Sequence, residues 1–394
     1  MPLISFIIPT HNRFEYAIKT INSLLSINSD IEIVISDTSD NDKLVKFCSS
    51  HINKTQLKLV RPGQGISVVD NFNYGLQHAT GEFLVFIGDD DFVCNSVIDV
   101  ANWAHENLVE SIRFSFPVTY FWPDFKHRNQ GDIFSGTLSF TEYSGSVILH
   151  DTKKALNEAL NDFGRGVLNM PRAYSGMISR LLAERITIKY GSLFGGVSPD
   201  IYSSTLISSE SMSSYLIDYP VVVPGASGAS TSGLSAKGQH TGKLRDNPHI
   251  GAFQNLVWDN RIPEFYSVPT VWAYSFLKAL ETVGIDPKSI NFSILYLRCF
   301  LYYPQYRTLT FNCFNSWRRE HGFLVSFLEL SKSFLKELFW VLSIVFKRVI
   351  KRISKRVNKD NVYLDLDDVL DAKYKCETVI KSRGISIDFK NKVD

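Results

Sequence analysis

No stretch of this chain stays apolar long enough to cross a bilayer: the longest uncharged run, Leu338–Phe346, is about half of what a spanning helix needs. The N-terminus, Met-Pro-Leu-Ile-Ser, has no basic segment ahead of an apolar one, so no secretory signal is expected. Cysteine is sparse. Cys48, Cys94, Cys299, Cys313 and Cys376 are odd in number, scattered, and without the paired spacing of a metal or redox motif. A disulfide framework is therefore not expected, and a reducing compartment is. Net charge is nearly absent too: at +2, the chain is no nucleic-acid binder by overall charge. There is no internal repeat. What is present suffices for a large core, since 44% of the 394 residues are hydrophobic and 21% charged, and the length suits two or three units.

The first hundred residues alternate strand and helix signals. Ile4–Ile8 is a short β-rich run stopped by Pro9, and from Phe14 the apolar residues Phe14, Ala17, Ile18, Ile21, Leu24 and Leu25 fall at helical spacing. Ile31–Ile35 predicts a second strand, 42–52 a helix, Leu57–Val60 a third strand, Ser67–Ala79 a helix, and Phe83–Ile87 a fully apolar strand. Repeated βα units of this length predict an α/β fold, a mostly parallel sheet flanked by helices. Ligands bind such sheets beyond the carboxyl ends of the strands. The informative residues are then Pro9–Arg13, Ser36–Asp40 and Gly88–Asp91. Residues 1–110 are expected to form one half of this domain and 111–245 the other, with a strand-like run at Ile112–Phe121. A helical extension is expected over 246–321, a long amphipathic helix over 322–358 and a tail over 359–394.

Asp89, Asp90 and Asp91 directly follow a buried-looking strand. Adjacent carboxylates repel one another unless solvent or a cation neutralises them, and hard divalent cations commonly bridge a carboxylate to substrate phosphates. A solvated acidic turn is the plainer reading, but position at the ligand-binding edge favours the cation. Asp37, Thr10 and Asn12 each follow a strand; singly, such residues are more often caps or turns.

Four pieces in order resemble the nucleotide-binding half of a family 2 glycosyltransferase with the GT-A (Rossmann-like) fold. They are Phe6-Ile-Ile-Pro-Thr-His-Asn-Arg13, Ile31-Glu-Ile-Val-Ile-Ser-Asp37, Asn71-Phe-Asn-Tyr-Gly-Leu-Gln-His-Ala-Thr-Gly-Glu82 and Phe83-Leu-Val-Phe-Ile-Gly-Asp-Asp-Asp91. The resemblance implies that Pro9, Thr10, Asn12, Arg13, Asn71, Asp89 and Asp90 line the nucleotide pocket and that Asp37 accepts from the imide N–H of uracil or thymine. It implies a DxD motif at Asp89 and Asp91, with Asp91 holding Mn²⁺ or Mg²⁺ on the diphosphate of a UDP- or dTDP-sugar. Gly88 departs from the pattern, since many members carry Asp there. The resemblance further implies an inverting hexosyl- or N-acetylhexosaminyltransferase of surface-polysaccharide or O-antigen assembly.

A metal that stabilises the leaving nucleotide leaves one task, removal of the acceptor's proton by a base. Asp200, in Ser198-Pro-Asp-Ile-Tyr202, resembles the family's acidic residue at a helix start; an ordinary capped helix N-terminus is the alternative. The loop Gly225–Gly242 is either a donor lid or a plain surface loop, and its His240 is a candidate metal ligand. In the long helix, Leu328, Leu335, Leu338, Phe339, Leu342, Phe346, Val349, Ile350 and Ile353 share one side. Lys347, Arg348, Lys351, Arg352, Lys355, Arg356 and Lys359 crowd its end. Basic amphipathic helices bind anionic membrane surfaces, which points to a cytoplasmic protein, peripheral at the inner face of the cell membrane, acting on a saccharide or lipid-linked saccharide; an oligomerisation helix is the alternative. Two other functions compete. A sugar-phosphate nucleotidylyltransferase resembles this core but needs a Gly-rich loop after the first strand, where this chain has none, and a non-catalytic membrane-bound nucleotide-binding scaffold would not need the carboxylates.

Overall fold

The computed structural model describes residues 1–27, 30–50, 56–63, 65–238, 240–253, 255–353 and 361–393, the side chains of 347–353 and 391–393 excepted. Its opening follows the predicted alternation: β1 (Ile4–Thr10), α1 (Phe14–Leu25), β2 (Ile31–Asp37), α2 (Lys43–Ser50), β3 (Leu57–Val60), α3 (Val68–Gln77) and β4 (Phe83–Phe86). β3, β2, β1 and β4 pair in parallel in that order. Period-two alternation sends Ile4, Phe6 and Ile8 into one core and Ile7 into another, on opposite faces of the sheet. α1 packs its Ala17, Ile21 and Leu24 on the first face, and α3 packs Val69 and Phe72 on the second.

Beyond β4 the sheet continues through the strands Met177–Ser179, Ser111–Phe114, Ser214–Ile217, Ser146–Leu149 and Asp388–Val393. Met177–Ser179 runs antiparallel to both its neighbours, so Ser111–Phe114 regains the direction of β4. Its carboxyl end thus opens onto the same edge as those of β1, β2 and β4. The nine-stranded sheet is mostly parallel, as the βα spacing predicts.

Two expectations are corrected. The run Ile112–Phe121 is not one strand: Ser115–Pro117 break it, and Val118–Phe121 joins a separate four-stranded sheet with Thr137–Phe140. Pro117 has no N–H for a ladder. Residues 361–393 are not a tail. The helix Val369–Arg383 buries Val369, Ala372, Cys376, Val379 and Ile380 in the core that α1 shares, and Asp388–Val393 closes the sheet edge.

A second, helical unit contains Thr152–Asn161, Val268–Val283, Phe292–Tyr302, Arg307–His321 and the 31-residue helix Phe323–Ile353. The long helix, about 46 Å at 1.5 Å per residue, reverses the usual partition. Its buried side chains include Ser326, Ser333 and Glu337, whereas Phe323, Leu324, Phe327, Leu328, Phe339 and Phe346 are each more than half exposed. Glu337 accepts from Arg165, Arg298 and Tyr302, and Ser333 bonds Ser293. The side chains of Lys347, Arg348, Lys351 and Arg352, and residues Lys355, Arg356 and Lys359 entirely, lie outside what is described. Among the described residues no helix is long and apolar enough to cross a membrane.

Candidate active site

The carboxyl ends of β1 and β4 meet in one hydrogen-bonded knot. Thr10 Oγ1 donates to Asp89 Oδ2 at 2.6 Å. Arg13 donates Nε to Asp89 Oδ1 at 2.8 Å and reaches Asp90 Oδ2 at 2.9 Å. Its position is set by the chain reversal after β1, where Asn12 takes a left-handed φ of 54° and its N–H donates to Ser39 Oγ at 2.8 Å. Pro9 sits in β1 opposite Ser36 of β2. All three aspartates are buried. Burial first, then the neighbouring Asp90, pushes the Asp89 and Asp91 carboxyls upward, with Arg13 opposing the rise at Asp89. Asp89 and Asp90 raise Arg13 above its ordinary value despite burial. One guanidinium against three carboxylates leaves negative charge uncompensated in a poorly solvated place.

The three carboxylates are not equivalent. Asp91 is engaged by backbone: Gly88 N donates to Oδ2 and Gly225 N to Oδ1, each at 2.7 Å. Asp90 Oδ2 accepts from Ser227 Oγ at 2.5 Å. Asp91 and Asp90 together therefore pin the start of the small-residue loop against the sheet edge. Gly225 has to be glycine, since a Cβ there would lie 1.8 Å from Asp90 O. Gly88 is explained likewise. A Cβ would come within 2.8 Å of Tyr174 Oη, so the phenol fills the space a side chain at 88 would occupy. Tyr174 lies on a segment bridged to the end of β4.

Asp37, at the end of β2, is fully buried; its Oδ1 accepts from Ser39 N, while Oδ2 has no hydrogen-bond partner among the described residues. Arg61 Nε lies 3.7 Å from it. Asn71 faces elsewhere: its amide bonds Ser36 at both ends, at 2.7 and 3.1 Å, tying α3 to β2. Asp200 stands in the first turn of the helix Pro199–Glu210, half-buried, accepting from Ser198 Oγ and Ile201 N with Oδ1. Ser198 donates to Asp200 and makes no side-chain cap of its own. His240 is not brought to the aspartates: its Nε2 bonds Tyr266 Oη at 3.0 Å, and among the described residues no three His, Cys, Asp or Glu side chains converge as a ligand set.

Sequence reasoning passed over Tyr16, Trp122, Asp124, Tyr174 and Ser227. Tyr16 Oη donates to Asp124 at 2.5 Å, and Trp122 Nε1 donates to Asp90 O at 2.9 Å. Only Ser227 carried a signal, as part of the Gly225–Gly242 loop; the others are brought in by contacts far apart in sequence. An open cleft lined by Lys153, Lys154, Asn157 and Asn169 among others contains none of the expected site residues.

The sequence model of glycosyl transferase family 2 matches residues 5–140. An uncharacterized glycosyltransferase of Haemophilus influenzae is 31% identical over 103 residues, 25% of this chain and 40% of that protein. A GalNAc(5)-diNAcBac-PP-undecaprenol beta-1,3-glucosyltransferase of Campylobacter jejuni is 33% identical over 95 residues, 23% of this chain and 30% of that protein. The aligned parts thus span less than half of these relatives. The crystal structure of Staphylococcus aureus TarS 1–349 in complex with UDP-GlcNAc aligns over 81% of this chain and 92% of that one, at 13% identity and a TM-score of 0.46.

Proposed function

From a chain whose residues 5–140 match the model of glycosyl transferase family 2, we propose an inverting transferase that moves a sugar from a UDP- or dTDP-sugar to an acceptor hydroxyl. The observation that carries this reading is the knot at the strand ends, in which Thr10 at the end of β1 and Arg13 just ahead of α1 grip Asp89 and Asp90 after β4. Asp37 beside it has one carboxylate oxygen unspent. That oxygen, with Arg61 Nε 3.7 Å away, suits the imide N–H of uracil or thymine. Pro9 and Asn12 border the same cleft.

The surplus of carboxylate over guanidinium fits a divalent cation, Mn²⁺ or Mg²⁺, held by the Asp89–Asp91 cluster with donor phosphates completing its shell. Such an ion, when bound, offsets the charge that develops on the departing diphosphate. His240 Nε2 bonds Tyr266 Oη while its Nδ1 has no partner among the described residues, and the ligand set proposed here is the aspartates alone. Asp200 is the base. Its Oδ1 is held by Ser198 and Ile201, so Oδ2 is free to take the acceptor proton in a fixed direction.

The exposed face of the long helix supports a second part of the proposal: the protein works at a membrane surface, on a lipid-linked saccharide, from the cytoplasmic side. An apolar face of this extent, continued by a basic cluster, is what an interfacial helix presents. The named acceptor of the Campylobacter relative, a PP-undecaprenol saccharide, is of that kind. Melting the protein against a panel of nucleotides and nucleotide sugars with Mn²⁺ tests the donor half. UDP or dTDP and one of their sugars should raise the melting temperature of the native chain, and less so that of Asp37→Ala. Stabilisation by nucleoside triphosphates alone would favour the nucleotidylyltransferase.

A further inference from the structure

The buried arginines that hold this molecule together are paired with acid. Arg13 meets Asp89 and Asp90, Arg298 meets Asp162 and Glu337, and Arg261 meets Asp259. Arg113 and Arg172 break the pattern. Neither has a carboxylate within ion-pair distance among the described residues, and Nε of each is buried without a hydrogen-bond partner. The one hydrogen bond of the Arg172 guanidinium runs from NH2 to Leu168 O at 3.3 Å, and its other support is the Phe116 ring, 5.1 Å away. Burial lowers both guanidiniums, Arg172 to about 10, with the Arg113 charge adding to the fall and Asp200 opposing it. Two guanidiniums drawn from water without a counter-ion, one on Ser111–Phe114 and the other just ahead of the strand Met177–Ser179 that pairs with it, are a costly arrangement. An anion from outside the chain removes the cost.

Position decides which anion. Arg113 lies in Ser111–Phe114, four strand positions from β2 and two from β4 in the sheet order. At about 4.8 Å per strand, it is roughly 19 Å from the strand that ends at Asp37 and about 10 Å from the one that leads to Asp89. That is across the proposed diphosphate site and away from the nucleobase end at Asp37. Asp200, by contrast, is near enough for its charge to act on Arg172. Both arginines are only partly buried as whole residues, so a ligand can reach them.

We infer that Arg113 and Arg172 bind an anionic group, a phosphate or a carboxylate, on the acceptor, and so set its hydroxyl against Asp200. The word acceptor rests on the transferase reading above; the anion site itself does not. Planar guanidiniums suit the oxygens of either group. The acceptor is thus a charged saccharide or one with its phosphate close to the reacting sugar.

Inorganic phosphate is the probe. It is titrated into the full-length protein with UDP and Mn²⁺ saturating, at ionic strength matched with NaCl, and followed by calorimetry and melting temperature. Phosphate should bind with UDP already in place. Arg172→Gln and Arg113→Gln should each weaken it roughly tenfold or more while UDP affinity stays within about twofold. Both variants should melt no lower than the native protein, because each removes an unpaired buried charge, and this also shows that they fold. Three results overturn the inference: no phosphate binding in any state, phosphate binding that UDP abolishes, or a UDP affinity that falls with the phosphate affinity. The last two would assign the pair to the donor diphosphate. Failure of UDP to bind the native chain would sink the transferase reading instead, and the phosphate titration of native and variant proteins would still decide the anion site.

Discussion

At the sheet edge, carboxylates and a guanidinium are drawn out of water and given partners one by one: Asp89 to Thr10 and Arg13, Asp90 to Arg13 and Ser227, Asp91 to two backbone amides. Along the helix Phe323–Ile353 polar groups are buried as well, with Ser326, Ser333 and Glu337 turned inward, but there phenylalanine and leucine are turned out. Polar burial is costly in both places and is tolerated for different reasons. At the sheet edge the strands hold the charges in fixed register, and preorganised charge is what a transferase needs. In the helix the buried polar residues serve as an anchor, since Glu337 locks onto Arg165 and Arg298, and the apolar face is left exposed.

The comparison can be broken at either end. The largest effect belongs to Asp200→Asn. Turnover should fall by about 10² to 10⁴ with donor affinity little changed, and vesicle co-sedimentation should be that of the native protein. Near-normal turnover reduces Asp200 to a helix-start residue. Glu337→Ala comes next. Removing one member of a buried ion network leaves charge uncompensated and should lower stability to urea by about 3 kcal/mol, while UDP still binds. An unaltered urea midpoint would mean that the helix is not anchored through this network. The smallest effect is that of Lys351→Gln, which should weaken binding to anionic vesicles by roughly 1 kcal/mol and leave binding to neutral ones unchanged. High salt should reproduce it in the native protein. If native protein ignores both kinds of vesicle, and cutting the chain after Gly322 instead dissolves an oligomer in light scattering, the exposed face belongs to assembly.

The three βα steps and the strand that follows them were legible because each is written locally: β1 to β4 are short apolar runs, and α1 and α3 carry apolar residues at helical spacing. The strand ends were legible for the same reason, which is how Thr10, Arg13, Asp37 and Asp89 could be named. Contacts between distant segments were not. Tyr174 packs over Gly88 only because Met177–Ser179 inserts between β4 and Ser111–Phe114, an antiparallel step that no local pattern announces. The C-terminal helix and strand reach the first core by the same kind of long-range pairing. Asn71 sat in a segment correctly placed, yet its amide is spent on Ser36. For the long helix, periodicity located the apolar stripe but could not say which face the protein would cover. The buried answer, Ser326, Ser333 and Glu337, depends on Arg165 and Arg298 in other helices.

The claim that the sheet edge transfers sugar is tested most directly by donor turnover without acceptor. Full-length protein is incubated with radiolabelled UDP- and dTDP-sugars and Mn²⁺, and slow release of labelled sugar is followed. One donor should be hydrolysed by the native chain, and its hydrolysis should be lost in Arg13→Ala, which strips Asp89 and Asp90 of their cation, while circular dichroism shows the fold retained. A native protein that hydrolyses none of the donors and is stabilised by none of their nucleotides would contradict the account.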